Sequence, residues 1–133
     1  MIDKVKQGKV NRRKGAEFER KVRADLESNG WVVDWVVDRW SNNVDLEKNK
    51  LIQAKSFMGR TRTNGFPDFV ISTLYTFHSK LNLHLLYGIE CKTNGKLDKI
   101  EKAKCKWLLD NKVFGGIFIA FEEDKKIKYV EFK

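Results

Sequence analysis

Gly65-Phe66-Pro67-Asp68 and, further along, Gly88-Ile89-Glu90-Cys91-Lys92 are the two segments on which the reading of this chain turns. Pro67 is the only proline in 133 residues. A proline has no N–H to donate and holds the residue before it extended, so it suits the mouth of a strand. It therefore fixes the direction in which Asp68 enters a sheet. In the second segment, strand side chains alternate between faces. Glu90 and Lys92 share one face, while Ile89 and Cys91 take the other. An acid from one strand can then converge with an acid and a lysine from its neighbour. Two carboxylates a few ångströms apart repel and create a demand for a cation. A hard ion such as Mg2+, for which Mn2+ can substitute, takes oxygen ligands and bridges to phosphate. It lowers the pKa of a bound water and stabilises charge on the phosphate. Lys92 can position that water. His78 and His84 lack partners at zinc-ligand spacing and read as structural.

Working outward, residues 12–28 carry a helical pattern, with Ala16, Phe18, Val22 and Leu26 inward and charges opposite. Residues 1–11, with Gly8 and no apolar periodicity, read as a flexible basic arm. Asn29-Gly30 stops the helix. Residues 31–38 alternate as a strand. Residues 41–65 read as a basic loop insertion, with a short strand possible over 51–57. Residues 66–75 form a second strand, 72–82 a turn region, and 83–92 a third strand apolar enough to be covered on both faces. Residues 97–111 form a helix with Leu97, Ile100, Ala103, Trp107 and Leu108 inward. Residues 117–121 and 127–132 are the last strands. The order predicts one α/β domain over 1–133, a sheet with helices packed on it.

The composition narrows the partner. There are 27 Lys+Arg against 18 Asp+Glu, a formal net charge of +9. The excess falls in residues 1–25, 48–62 and 92–112, around a centre that holds few acids. Such segments suit phosphate contacts, which release counterions and make affinity salt-dependent. Lys55, Arg60 and Arg62 of the basic loop are the candidate contacts there. Two cysteines give at most one bridge and read as free thiols of a reducing compartment. The longest stretch without charge, residues 69–79, is far short of the roughly 20 residues of a membrane span, and no signal peptide is visible. These features predict a cytoplasmic protein, or one of the host cytoplasm if it is virus-encoded.

Pro67-Asp68 followed by Glu90-x-Lys92, between helices and before a later strand, resembles the PD-(D/E)XK nuclease superfamily. Arg13-Lys14-Gly15-Ala16-Glu17-Phe18-Glu19-Arg20 is similar to the first helix of archaeal Holliday junction resolvases, whose metal-site glutamate falls on Glu19. Gly65–Asp68, Ile89–Lys92, Gly95-Lys96-Leu97 and Gly115-Gly116 resemble the virus-type replication-repair (VRR-Nuc) nucleases, as do Arg39 and Asn42-Asn43. The helix position that often carries glutamine there is Lys104. The resemblance implies a restriction-endonuclease-like αβββαβ core with a central mixed sheet flanked by helices. It implies Asp68, Glu90 and Glu19 as Mg2+ ligands, with Lys92 as the fourth catalytic residue. Arg13, Lys14, Lys96 and Lys104 are then DNA contacts.

The expected function is a Mg2+-dependent, structure-specific DNA endonuclease, a phosphodiester hydrolase of recombination and repair acting on branched DNA. The resolvase resemblance implies a homodimer. The alternatives are a nuclease for flap, nicked, duplex or single-stranded DNA, and a non-catalytic DNA-binding module of the same fold. Asp45 with Gln53-Ala54-Lys55 resembles the D…QxK variant of some restriction-type nucleases and forms a rival site.

Overall fold

The computed structural model describes residues 4–28, 35–53, 56–57, 60–61, 65–77 and 81–133. In chain order these hold α1 (Lys4–Leu26), β1 (Trp35–Arg39), β2 (Asn42–Asp45), β3 (Lys50–Gln53), β4 (Ser56–Phe57) and β5 (Arg60–Thr61). There follow β6 (Phe69–Phe77), β7 (Leu81–Cys91), α2 (Lys99–Asp110), β8 (Gly116–Glu123) and β9 (Lys126–Glu131). Five strands make one mixed sheet in the order β1-β6-β7-β8-β9. β1, β6 and β7 form an antiparallel meander, β8 returns parallel to β7, and β9 lies antiparallel on the outer edge. A parallel neighbour requires a crossover connection, which α2 supplies. The chain is α/β with a mixed sheet and two helices among the described residues.

Each sheet face buries its own set of side chains, as a period of two requires. Phe69, Ile71, Ile89 and Ala120 pack with Phe18, Val22 and Leu26 of α1. These three recur every fourth residue, so they form one stripe along the helix. Burying each contributes about 1.5–3 kcal/mol. The other cluster joins Ile117 of β8 to Cys105 and Leu108 of α2, with Val44, Phe66 and Phe114 beside them. β7 is the middle strand of the five, and most of its side chains are apolar. Tyr129 donates from its hydroxyl to Asp25 Oδ2 at 2.7 Å, fastening the last turn of α1 to β9. Burial, and then Asp25, push the Tyr129 pKa up.

Several boundaries differ from the sequence reading. The stretch read as a flexible arm is helical from Lys4 onward, because α1 continues through Gly8 and Gly15. Ala16 is exposed, since the helix meets the sheet only from Phe18. On α2, Ile100 is 62% exposed and Ala103 is also exposed. Cys105 takes the inward place, three residues before Leu108. Within the predicted loop, β2 and β3 form an antiparallel hairpin that packs Val44 against the α2 cluster. The predicted turn over 72–82 is mostly strand, with Phe77 paired to Leu81; residues 78–80 lie outside the described set. Of the first predicted strand, residues 31–34 lie outside it too. No helix among the described residues is long and apolar enough to cross a membrane.

Candidate active site

The turn before β6 is built by close approach. A Cβ on Gly65 would stand 1.8 Å from the Trp40 carbonyl oxygen, so only glycine fits there. Phe66 N–H donates to the Asn42 carbonyl at 2.8 Å, and Trp40 N–H donates to the Asp68 carbonyl at 3.1 Å. Pro67 follows a cis Phe66–Pro67 bond and is fully buried. It lies against Gly88, where a Cβ would come within 2.6 Å of Pro67 Cγ. Phe69 pairs with Ile89 in the β6–β7 register. Asp68, the residue just before β6, lies beside Glu90.

Asp68 and Glu90 are both buried, Glu90 to 5% exposure. Asp68 Oδ2 accepts the Cys91 N–H at 2.8 Å. Glu90 Oε2 is buried and has no hydrogen-bond partner. A buried polar atom without a partner costs about 1–3 kcal/mol. Burial, then the neighbouring Asp68 charge and then Glu101, hold the Glu90 carboxyl well above the usual carboxylate range, against the pull of Lys92. Glu19 arrives from α1, next to Asp68. Burial and the Asp68 charge raise its pKa, and Arg39 opposes them. Arg39 Nη2 donates to Glu19 Oε2 at 3.2 Å. The Cys91 thiol, on the opposite face of β7, is pushed up by burial and then by Asp68.

Lys92 shares the Glu90 face, and its Nζ stands 2.6 Å from Glu101 Oε2. Burial works to lower its pKa, yet Glu101 and Glu90 prevail and raise it. Glu101 belongs to a capping box: its N–H donates to Asp98 Oδ1 at 2.8 Å, and its Oε1 accepts the Asp98 N–H at 3.0 Å. The Glu101 N–H, donating to the carboxylate, pulls the Asp98 pKa down. Sequence reasoning missed Glu101. The signal was Asp98-x-x-Glu101 ahead of an apolar helix, the pattern of a capping box.

Glu19, Asp68, Glu90 and Lys92 are thus gathered at one end of the sheet. The oxygen-only donors, the unpartnered Glu90 oxygen and the raised pKa values all suit a hard divalent cation. Among the described residues, no group of three or more His, Cys, Asp or Glu side chains is already arranged to hold a metal ion. Arg13, Lys14 and Lys96 are exposed, and Arg13 Nε is 3.9 Å from Glu17 Oε1. Lys104 holds its ammonium 5.6 Å from the Phe66 ring centroid, beside the Pro67 turn. Lys55 and Arg62 lie outside the described residues, while Arg60 opens β5. In the rival site, Asp45 Oδ1 accepts the Lys48 N–H at 3.0 Å, a turn-capping role in the β2–β3 hairpin.

Compared with protein-family models, curated proteins and solved structures, the chain finds no match.

Proposed function

We propose that this protein is a metal-dependent endonuclease of the PD-(D/E)XK type, which hydrolyses phosphodiesters in branched DNA as a Holliday junction resolvase does. The observation that carries the reading is Asp68 beside Glu90, with a buried, unpartnered Glu90 oxygen and Lys92 two residues along the chain. The order of helix, three-stranded meander, crossover helix and parallel strand supports it, being the αβββαβ order that the resemblance implies.

Asp68, Glu90 and Glu19 would hold Mg2+, which when bound supplies a water of lowered pKa and charge for the phosphate. Lys92 orients the attacking water from two residues beyond Glu90. Arg39 offsets the charge of Glu19. Water adds to phosphorus in line, the bond to O3′ breaks, and the products are a 3′-hydroxyl and a 5′-phosphate. Arg13, Lys14, Lys96 and Lys104 engage backbone phosphates around the cut, as do the basic residues of the 48–62 segment. Cutting opposed strands of a junction calls for two such sites, hence a homodimer. The outer edge strand β9, with Val130 48% exposed, is available to a second copy.

The test is cleavage of labelled junction, flap, nicked, duplex and single-stranded DNA at fixed salt with Mg2+. Junctions are cut in preference to duplex, and Glu90→Gln abolishes cutting while DNA binding persists. Equal rates on junction and duplex would refute the resolvase reading. Binding without any Glu90-dependent cleavage would leave only a DNA-binding module.

A further inference from the structure

Lys92 and Glu101 form an ion pair between the middle strand of the sheet and the first turn of the crossover helix. Both side chains are partly buried, at 30% and 15% exposure. A long lysine side chain on an open strand end samples many rotamers, and fixing it has an entropic cost. Glu101 removes much of that freedom, because it is itself held. Its Oε1 accepts the Asp98 N–H, while its own N–H donates to Asp98 Oδ1. Oε2 alone is left for the lysine. With one oxygen on the cap and the other 2.6 Å from Nζ, Glu101 has both oxygens committed, which sets it apart from Glu90 and its unpartnered Oε2. Glu101 is thus built to hold a cation supplied by the protein.

We infer that Glu101 is a positioning residue for Lys92: the Asp98 backbone N–H at the start of α2 fixes the carboxylate that aims the lysine at the reacting water. The inference rests on the nuclease reading above and adds a residue to it. It makes the N-terminus of α2 part of the machinery through one side chain. Lys92 keeps its place beside Glu90 before substrate arrives, so the site does not have to order the lysine during the reaction. Pre-organised positioning of this kind matters because a misplacement of about 1 Å can cost on the order of 10²-fold in rate.

The experiment compares single-turnover cleavage by the unaltered protein, Glu101→Gln, Asp98→Ala, Lys92→Met and the double variant Lys92→Met/Glu101→Gln. Glu101→Gln keeps an amide oxygen for the cap but loses the charge that holds the lysine. Its rate constant falls about 10- to 100-fold, with half-saturating DNA concentration and melting temperature close to those of the unaltered protein. Asp98→Ala removes the capping carboxylate but retains the backbone N–H that holds Glu101. It lowers the melting temperature and spares the rate. In the Lys92→Met background, Glu101→Gln causes no further loss, because the residue it acts through is gone. A Glu101→Gln rate equal to that of the unaltered protein overturns the inference, as does a full additional loss in the Lys92→Met background. If the unaltered protein cuts no DNA at all, the nuclease reading fails, and this inference fails with it.

Discussion

Gly88→Ala tests the packing that sets the position of Asp68. Gly88 is buried in the middle strand, and a Cβ there would sit 2.6 Å from Pro67 Cγ. An ordinary carbon contact begins near 3.4 Å, so the strand and the turn must part by about 0.8 Å. The obstacle is a ring atom closed onto the backbone and fully buried, so no flexible chain end can swing aside. Forcing an extra carbon into such a place costs about 1–3 kcal/mol. For domains of about this size, each kcal/mol shifts the melting temperature by roughly 2–8 °C. Since Pro67 adjoins Asp68, the same displacement carries the carboxylate away from Glu90, and cleavage falls toward 10²-fold below the unaltered rate. Thermal melting by circular dichroism and single-turnover cleavage read the two effects. Gly15→Ala is the control: a Cβ on Gly15 meets nothing within 4 Å, and replacing a helix-interior glycine gains about 0.5–1 kcal/mol. If Gly88→Ala melts and cuts as the unaltered protein does, the close packing of Pro67 on Gly88 does not set the site.

Glu90 and Glu19 both have raised pKa values in the folded chain, so the native state binds more protons than the unfolded state. In EDTA, stability is therefore fullest below the ordinary carboxylate pKa and declines as pH rises through the raised values. Glu90→Gln flattens this decline in urea titrations across pH 4–8, and an unchanged slope would remove Glu90 as its source. Mg2+ adds the missing positive charge, so it raises the melting temperature of the unaltered protein near neutral pH. At 100 times the dissociation constant the gain is about 2.7 kcal/mol, and it is absent in Asp68→Asn/Glu90→Gln; an equal rise in that variant would show that the ion binds elsewhere. Replacing Arg13 and Lys14 by Ala lowers the slope of log affinity against log salt by about 0.9 for each duplex phosphate that is no longer neutralised. An unchanged slope would take α1 out of the DNA footprint.

The sheet was readable in the sequence where periodicity and burial agree. The apolar run before Glu90 announced a strand covered on both faces; it is the middle strand, yet Leu86 on it is 40% exposed. Pro67 announced the start of β6, which begins two residues later. The period of two placed Glu90 and Lys92 on one face, and the pairing of Phe69 with Ile89 then brings Asp68 beside Glu90. What escaped was polar structure without periodicity. The β2–β3 hairpin lies among Asn, Lys and Asp residues, and only Val44 of β2 among its apolar side chains is buried. The N-terminal half of α1 has no apolar stripe, so its helicity left no amphipathic trace. Ile100 and Ala103 fitted an inward face by spacing alone, but the helix packs Cys105 and Leu108 against Val44, Phe66 and Ile117 instead. The Asp98-x-x-Glu101 spacing marks Glu101 as a capping residue, but its pairing with Lys92 on another element is not visible in local spacing.

The alternation along β7 also governs which changes in length this chain tolerates. One residue added or lost between Gly88 and Glu90 would turn the carboxylate into the packed face against α1 and bring Cys91 or Ile89 outward. A single insertion there is therefore lethal to core and site together. The far end of the same hairpin obeys a different rule. From Thr73↔Leu85 to Phe77↔Leu81 the two strands pair with each other well beyond the site. Residues added or removed there in matched pairs lengthen or shorten the ribbon and leave the register at Asp68 and Glu90 unchanged. Length variation among descendants of this sequence would therefore collect in the paired stretch beyond Thr73 and Leu85, while the spacing from Gly88 to Lys92 stays fixed.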